Sequence, residues 1–326
     1  MPTIYDVAKL AGVSTYTVSA VINRSAYVSP ELTARVEQAV QQLDYTVNHM
    51  ARSLQTRQTM NVGMLLPDVG NPFYAKVVRG AEDKLDESGY RVIIGNTSNS
   101  RKEQNRYLEL FRSGQIDGML LFLASGDQSE LKQLVSKKKP IVFLGRIPSF
   151  PADYVTADNV RGAELAVEYL ISKGHQRIGI VIGQEDLSPS VQRVEGWRNT
   201  LTKKGLSSPE EYIATGDWGA ESGYRCAQQL LKLEPRPSAL FVANFMMMTG
   251  ALRAVKDAGL RNPEDVRVAS CDDAEWLDCF SPPVTTIEQP SYELGAEGAA
   301  LLLARLQDPG REACHLVLQP KLKIRE

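Results

Sequence analysis

Few side chains in this sequence are placed to do covalent chemistry. The three histidines, His49, His175 and His315, lie far apart, and none has a nucleophile at a recognisable local spacing. The four cysteines, Cys226, Cys271, Cys279 and Cys314, form no C-x-x-C pair and have no histidine at metal-ligand spacing. Each is therefore expected to be a buried thiol rather than part of a disulfide or metal site. Asp272 and Asp273 are adjacent carboxylates that could in principle serve as an acid pair, but such neighbours in a loop are usually a cap or a solvated turn. No G-x-G-x-x-G, P-loop, G-x-S-x-G or H-E-x-x-H occurs. No catalytic residue, metal or cofactor is expected. An enzyme on an α/β scaffold stays an alternative that a turnover assay would decide, because a fold does not fix a function.

The hydrogen-bonding groups near the start are better organised. Residues 4–23 read IYDVAKLAGVSTYTVSAVIN, two helices joined by a tight turn at Gly12. Thr3 can cap the first, whose apolar stripe is Ile4, Val7, Ala8 and Leu10-Ala11. Ser14 can cap the second, with Val18, Val21 and Ile22 inward and Thr15, Tyr16, Ser19 and Ala20 outward. Small and hydrogen-bonding residues on that outer face suit a helix set against base edges in the major groove. An ordinary three-helix bundle with a polar exterior is the competing reading. Ser29 and Pro30 open a third helix that buries Leu32, Val36, Val40 and Leu43.

The elements that follow change character twice. Residues 46–58 are polar with few anchors and read as a linker; a two-turn helix capped by Asn48 would be marginal there on its own. From residue 61 strand-like runs (61–66, 91–95, 118–123, 140–144, 177–182, 239–243, 266–270, with another at 318–324) alternate mostly with helix-like segments (73–88, 102–113, 160–173, 189–204, 220–233, 247–258). Such alternation predicts parallel sheets covered by helices on both faces, and the length predicts two lobes. Ligands on sheets of this kind bind beyond the carboxyl ends of the strands, so a cleft between lobes is the natural site.

Bulk properties narrow the classes further. The 326 residues are 43% hydrophobic and 23% charged, with a net charge of −2. No apolar run reaches the roughly 18 residues of a membrane helix. The first residues lack a basic then apolar leader, so a cytoplasmic protein is expected and an exported solute-binding protein is the less favoured alternative. Residues 1–58 hold five basic against four acidic side chains, a net of +1. Tight nonspecific DNA binding by one head is thus not expected, and two copies are needed.

The run I-Y-D-V-A-x-x-A-G-V-S-x-x-T-V-S-x-V-I-N, with V-S at 28–29 and L-x-Y-x-x-N at 43–48, resembles the headpiece of the lactose/galactose repressor (LacI/GalR) family. Downstream features match in order, among them Asn71-Pro72-Phe73-Tyr74, Gly174-His175, Gly196-Trp197, Asp217-Trp218, Asp272-Asp273 and residues 285–290, so the likeness spans essentially the whole chain. It implies an all-α helix-turn-helix headpiece at 1–46, a hinge helix or linker at 47–58, and an α/β body at 59–326. The body is expected to be a two-lobed, periplasmic-binding-protein-like (type I) domain with parallel sheets. One lobe is expected from about 60–159 with 291–318, the other from about 160–288 with 319–326.

The resemblance also implies roles. Thr15, Tyr16 and Ala20 fall at base-choosing positions. Tyr5, Ser14, Ser19 and Asn23 match phosphate-touching ones, and Thr17 lies on the same DNA-facing helix. Ala20 replaces a common arginine and could offer a base only apolar contact. Leu54 matches a leucine that wedges into the minor groove, flanked by Asn48 and Ala51. Val47 stands where a proline is usual, which implies weaker hinge ordering. Asp68, Asn71, Phe73, Arg193, Trp218, Asn244, Asp272 and Gln289 fall at or beside effector positions. Gly145 and Phe245 stand where sugar-binding members often carry aspartate, with Arg146 next to the first. Losing two carboxylates opens the pocket to a less polar or aromatic ligand. Trp197 and Trp276 are expected in core or interface. The implied function is a repressor acting as a homodimer on a pseudopalindromic double-stranded DNA operator, controlled by a sugar, polyol or other metabolite, without a membrane role. No heptad tail follows residue 324, so a tail-built tetramer is not expected.

Overall fold

The computed structural model describes residues 2–23, 26–45, 58–279 and 281–326. The chain divides into two compact units, Met1–Thr59 and Met60–Glu326.

The first unit is a bundle of α1 (Ile4–Ala11), α2 (Thr15–Asn23) and α3 (Pro30–Gln42). Thr3 caps α1 in a reciprocal box: its N–H donates to Asp6 Oδ2 at 2.7 Å, and its Oγ1 accepts from the Asp6 N–H at 3.4 Å. Gly12 ends α1 at φ +64°, a left-handed turn that glycine enters without a Cβ penalty. Ser14 Oγ accepts from the Thr17 N–H at 3.1 Å and starts α2. Val7, Ala8, Ala11, Val18, Val36 and Ala39 form the core. Arg35 Nη2 donates to the Ala11 carbonyl at 2.5 Å, satisfying an orphan group at the end of α1. Leu10, expected inward, is largely exposed. It lies about 100° round the helix from Ala11, outside the narrow stripe that two short partner helices can cover.

The second unit holds two six-stranded sheets. Its elements are β1 (Asn61–Leu66), α4 (Pro72–Asp86), β2 (Arg91–Asn96), α5 (Arg101–Arg112), β3 (Gly118–Leu121), α6 (Ser129–Ser136), β4 (Ile141–Leu144), β5 (Asp153–Ala157), α7 (Asn159–Ser172), β6 (Ile178–Ile182), α8 (Ser188–Lys203), β7 (Ile213–Thr215), α9 (Ala220–Leu231), β8 (Ala239–Val242), α10 (Phe245–Asp257), β9 (Arg267–Cys271), β10 (Thr285–Glu288), α11 (Ser291–Gln307), β11 (His315–Leu318) and β12 (Lys321–Lys323). One sheet runs β11-β5-β4-β3-β1-β2 and is parallel throughout. The other runs β12-β10-β9-β8-β6-β7, parallel except for the β10–β12 pair. Strands β3, β4, β6 and β8 are buried along their whole length, as sheets covered on both faces require.

Among the described residues the chain passes between the sheets three times, after β5, after β10 and after β11. Gln319 in the last crossing donates to Asp158 in the first at 3.3 Å, tying two of them together. The strand-like run expected at 318–324 is therefore two strands in different sheets, parted at Pro320, which has no N–H for a ladder. The thiols also differ from expectation. Cys226 and Cys271 are buried, Cys314 is half-buried, and Cys279 is exposed at the end of a short 3-10 turn on the surface. Trp197 is fully buried, its Nε1–H donating to the Ile178 carbonyl at 3.0 Å. Trp276 is partly exposed and meets Phe245 edge-on at 4.9 Å.

Candidate DNA-facing helix and ligand cleft

The first turn of α2 points outward. Tyr16 is 75% exposed while Val18, two residues on, is in the core. Ser14 is exposed and shares a 2.9 Å contact with the Thr17 hydroxyl, so both side chains stiffen the start of the helix. Thr15 and Ser19 are half-buried beside Tyr16, and Tyr5 is exposed on α1. Ala20 corrects the expected outer face: it is only 2% exposed. A methyl group reaches no further than Cβ and does not emerge beyond its own helical turn, so it offers bases little without local adjustment. Asn23 closes α2. Asn48, Ala51 and Leu54 lie outside the described residues. Sequence reasoning passed over Tyr27, a 90% exposed aromatic in the connection to α3; its signal is a lone aromatic among small polar residues.

The cleft in the second unit forms where strands of both sheets end. Asn71 follows β1, Gly145 and Arg146 follow β4, Trp218 follows β7, Asn244 follows β8, Asp272 follows β9 and Gln289 follows β10. These residues, with Phe73 on α4 and Arg193 on α8, line one cavity of about 40 Å³. An outer recess of about 340 Å³ shares Asn71, Trp218 and Asn244 with it and adds Asp68, whose carboxylate accepts from the Gly70 N–H at 2.9 Å. Phe245 is not among the lining residues. Its ring is buried in the core, and only its N–H reaches the cleft, donating to Asp272 at 3.3 Å. Tyr74, Phe122 and Pro189 line the inner cavity unannounced, as do Asn99 and Gln184 in the recess.

An aromatic wall forms one side. Phe73, Tyr74 and Phe122 meet edge to face with centroids 4.9–6.2 Å apart. Burial pushes the Tyr74 phenol up to about 12, so it is a neutral donor at physiological pH. Gly145, at φ +62°, leaves room for this wall; a Cβ there would stand 2.7 Å from the Phe122 ring.

Several polar side chains spend their capacity on the scaffold. Asn71 Oδ1 accepts from the Phe73 N–H at 3.0 Å and caps α4. Asn244 Oδ1 accepts from Met247 N at 2.9 Å and caps α10, while its Nδ2 donates to the Trp218 carbonyl at 2.9 Å. Asp272 accepts from Gln289 Nε2 at 2.5 Å, and burial lifts its carboxyl above the ordinary range, partly offset by Arg193. Its neighbour Asp273 goes the other way: hydrogen bonds from Thr286, Arg325 and Lys323 outweigh burial and hold it low. The adjacent carboxylates do not form the solvated turn expected of such neighbours: both are buried, one facing the cleft and one a structural anchor.

Arg193 Nε donates to Asn159 Oδ1 at 3.1 Å and Nη1 to the Ala243 carbonyl. Arg146 Nη2 donates to Asn99 Oδ1 at 2.8 Å and Nη1 to the Leu123 carbonyl. The two guanidinium carbons lie 5.7 Å (Arg146) and 5.9 Å (Arg193) from the Trp218 ring centroid. Trp218, Asp272, Ser98 and Asn99 all hold φ between +50° and +73°, a cluster of costly non-glycine backbone at the cleft.

A helix-turn-helix head in one chain with a two-sheet body, its polar cleft at the strand ends, defines a DNA-binding regulator of the periplasmic-binding-protein-like class. Residues 3–48 match the family described as bacterial regulatory proteins, lacI family, and residues 167–326 match the periplasmic binding protein-like domain. The chain is 38% identical to the ribose operon repressor of Escherichia coli (strain K12), covering 100% of this chain and 99% of that one. It is 34% identical to the HTH-type transcriptional repressor PurR of Aliivibrio salmonicida (strain LFI1238), covering 100% and 98%. The solved lac repressor dimer bound to operator and the anti-inducer ONPF superposes with a TM-score of 0.86 at 29% identity, covering 99% and 98%. The chain belongs to the LacI family of bacterial transcription regulators. These relatives are repressors, not enzymes. Among the described residues no helix is long and apolar enough to cross a membrane.

Proposed function

We propose that this protein represses transcription in the cytoplasm as a homodimer on a pseudopalindromic operator, and that a small molecule in the inter-lobe cleft controls its hold on DNA. The observation that carries this reading is the outward first turn of α2, with Tyr16 exposed beside the capping Ser14. Two such helices related by a two-fold axis would sit in successive major grooves. The lac repressor relative was solved as a dimer on its operator, which supports the same arrangement here. Thr15 and Tyr16 would choose bases, Tyr5, Ser14, Ser19 and Asn23 would set register on phosphates, and Asn48, Ala51 and Leu54 would follow the minor groove. Residues 1–46, 47–58 and 59–326 would serve as head, hinge and sensor.

The inner cavity, about 40 Å³, is far below the ~300 Å³ where small-molecule sites begin. A metabolite therefore needs the lobes to part or side chains to swing, and its binding would bias the angle between lobes and so the DNA-competent population. The test is selection from random duplexes, followed by operator affinities of the wild type and Tyr16→Ala. The variant should lose about tenfold or more. A wild type with no sequence preference at low salt, with and without candidate metabolites, would end the repressor reading.

A further inference from the structure

We propose that the cleft is built for an anionic small molecule whose carboxylate or phosphate sits between Arg146 and Arg193; this rests on the effector reading above. Both guanidinium groups are buried, each 4% exposed. Among the described residues neither has a carboxylate within ion-pair distance. Other shielded arginines here do have one: the half-buried Arg305 pairs with Asp153 at 2.8 Å and the buried Arg325 with Asp273 at 2.7 Å. The cleft pair is held instead by carbonyl and amide oxygens, which orient a cation without neutralising it. Two cations in a desolvated site are costly when carboxylates act on them only from beyond contact distance, Asp272 on Arg193 and Asp186 on Arg146, and a ligand that pairs with them directly lowers that cost. Burial already pulls the Arg146 guanidinium below its usual range, and Arg193 pushes it the same way.

The hydrogen-bond inventory points in the same direction. A guanidinium has five N–H donors, and the scaffold bonds given above use two on each arginine. The Trp218 indole N–H is buried without a partner. Acceptors, by contrast, are largely spent. Asn71 and Asn244 give their amide oxygens to helix caps, and Asp272 takes hydrogen bonds from Gln289 and the Phe245 N–H. The unpaired acceptor Gln184 Oε1 lies with the outer recess. A neutral polyol needs both donors and acceptors around its hydroxyls. A carboxylate or phosphate only accepts, and it suits two planar donors lining one cavity. The Trp218 ring beside both cations leaves a flat apolar face for the rest of the molecule.

The test uses the full-length protein and matched probes measured by calorimetry: D-glucose against D-glucuronate, and D-ribose against D-ribose 5-phosphate. The charged member of at least one pair should bind about tenfold or more tightly than its neutral twin, and which pair responds separates carboxylate from phosphate. Arg146→Gln should abolish that preference, while Arg146→Lys, which keeps the charge, should retain part of it. Thermal melting checks that each variant folds, and the wild-type comparison stands even if one does not. Equal or tighter binding of the neutral sugars, or no binding by either anion, overturns the proposal. Operator affinity measured in parallel without ligand tests the repressor reading separately, since a ligand preference with no operator preference would spare the first and sink the second.

Discussion

Ser125 donates to both carboxylate oxygens of Asp186 at 2.8 Å, and the two residues belong to different lobes. The Gly126 N–H joins the same carboxylate at 2.8 Å. A second bridge runs from the Ile147 N–H to Ser188 Oγ, also 2.8 Å. These bonds cross from one lobe to the other next to the cleft-lining Arg146, Gln184 and Pro189. Asp186→Ala should weaken closure by about 1 kcal/mol, since the group is exposed and its bonds compete with water. Because a metabolite needs the lobes to part, effector affinity should rise about fivefold, and the variant should have a larger radius of gyration by small-angle scattering. Unchanged dimensions and affinity would deny the latch any role.

Ser14 has two proposed duties that one substitution separates. Ser14→Ala removes the cap on α2 and should cost the head about 1 kcal/mol. Ser14→Asp keeps a capping oxygen and favours the helix N-terminus, yet it places a negative charge against a phosphate. Its melting should stay near wild type while operator affinity drops severalfold. Normal operator binding by the aspartate variant would remove Ser14 from the DNA surface.

Gly183 lies under the Trp218 indole: a Cβ at that position would fall 1.9 Å from Cε2. Gly183→Ala must therefore expel the ring. Overpacking should cost the body about 1–3 kcal/mol, tryptophan fluorescence should shift, and effector affinity should fall at least tenfold. A folded variant with wild-type affinity would show that Trp218 is not part of the site.

Asp272 and Asp273 should respond to pH in opposite senses. Asp272 has a raised folded-state pKa, so its contribution is fully present below the unfolded value of about 3.9 and is lost as pH rises through the folded one. Asp273 has a lowered one, so its contribution is present above the unfolded value and is lost as pH falls through the folded one. Relative to wild type, Asp272→Asn should gain stability as pH rises from about 4 to about 8. Urea midpoints across that range check it, and a pH-independent difference would refute the assignment.

Much of this architecture was readable from hydrophobic patterning, and the exceptions have physical causes. The runs at β1, β3, β4, β6 and β8 are continuous apolar stretches, and they became central strands. The edge strand β7 is three residues long and gives periodicity nothing to act on. Strand β5 begins with Asp153, a polar start justified by Arg305 and the Cys314 N–H, both some 150 or more residues away. At the cleft Arg193 and Trp218 were legible through the family resemblance, and a planar cation and an indole are chemically suited to recognition there. Tyr74 and Asn99 were not, since each resembles scaffold until two lobes bring it to the same cavity. Phe245 shows the converse: the resemblance put it at an effector position, yet its ring is in the core and only its N–H reaches the site. Ala20 was placed by helical phase, which gives direction but not reach.

The three passages of the chain between the sheets bear on how this protein can be taken apart. Each sheet borrows its outermost strand, β11 or β12, from the far end of the sequence. Neither half of the sensor corresponds to one uninterrupted stretch of gene, so no single cut yields a lobe that could be produced or shuffled alone. A premature stop before residue 315 would strip an edge from both halves at once and leave β5 and β10 each with an open ladder, a predicted site of aggregation.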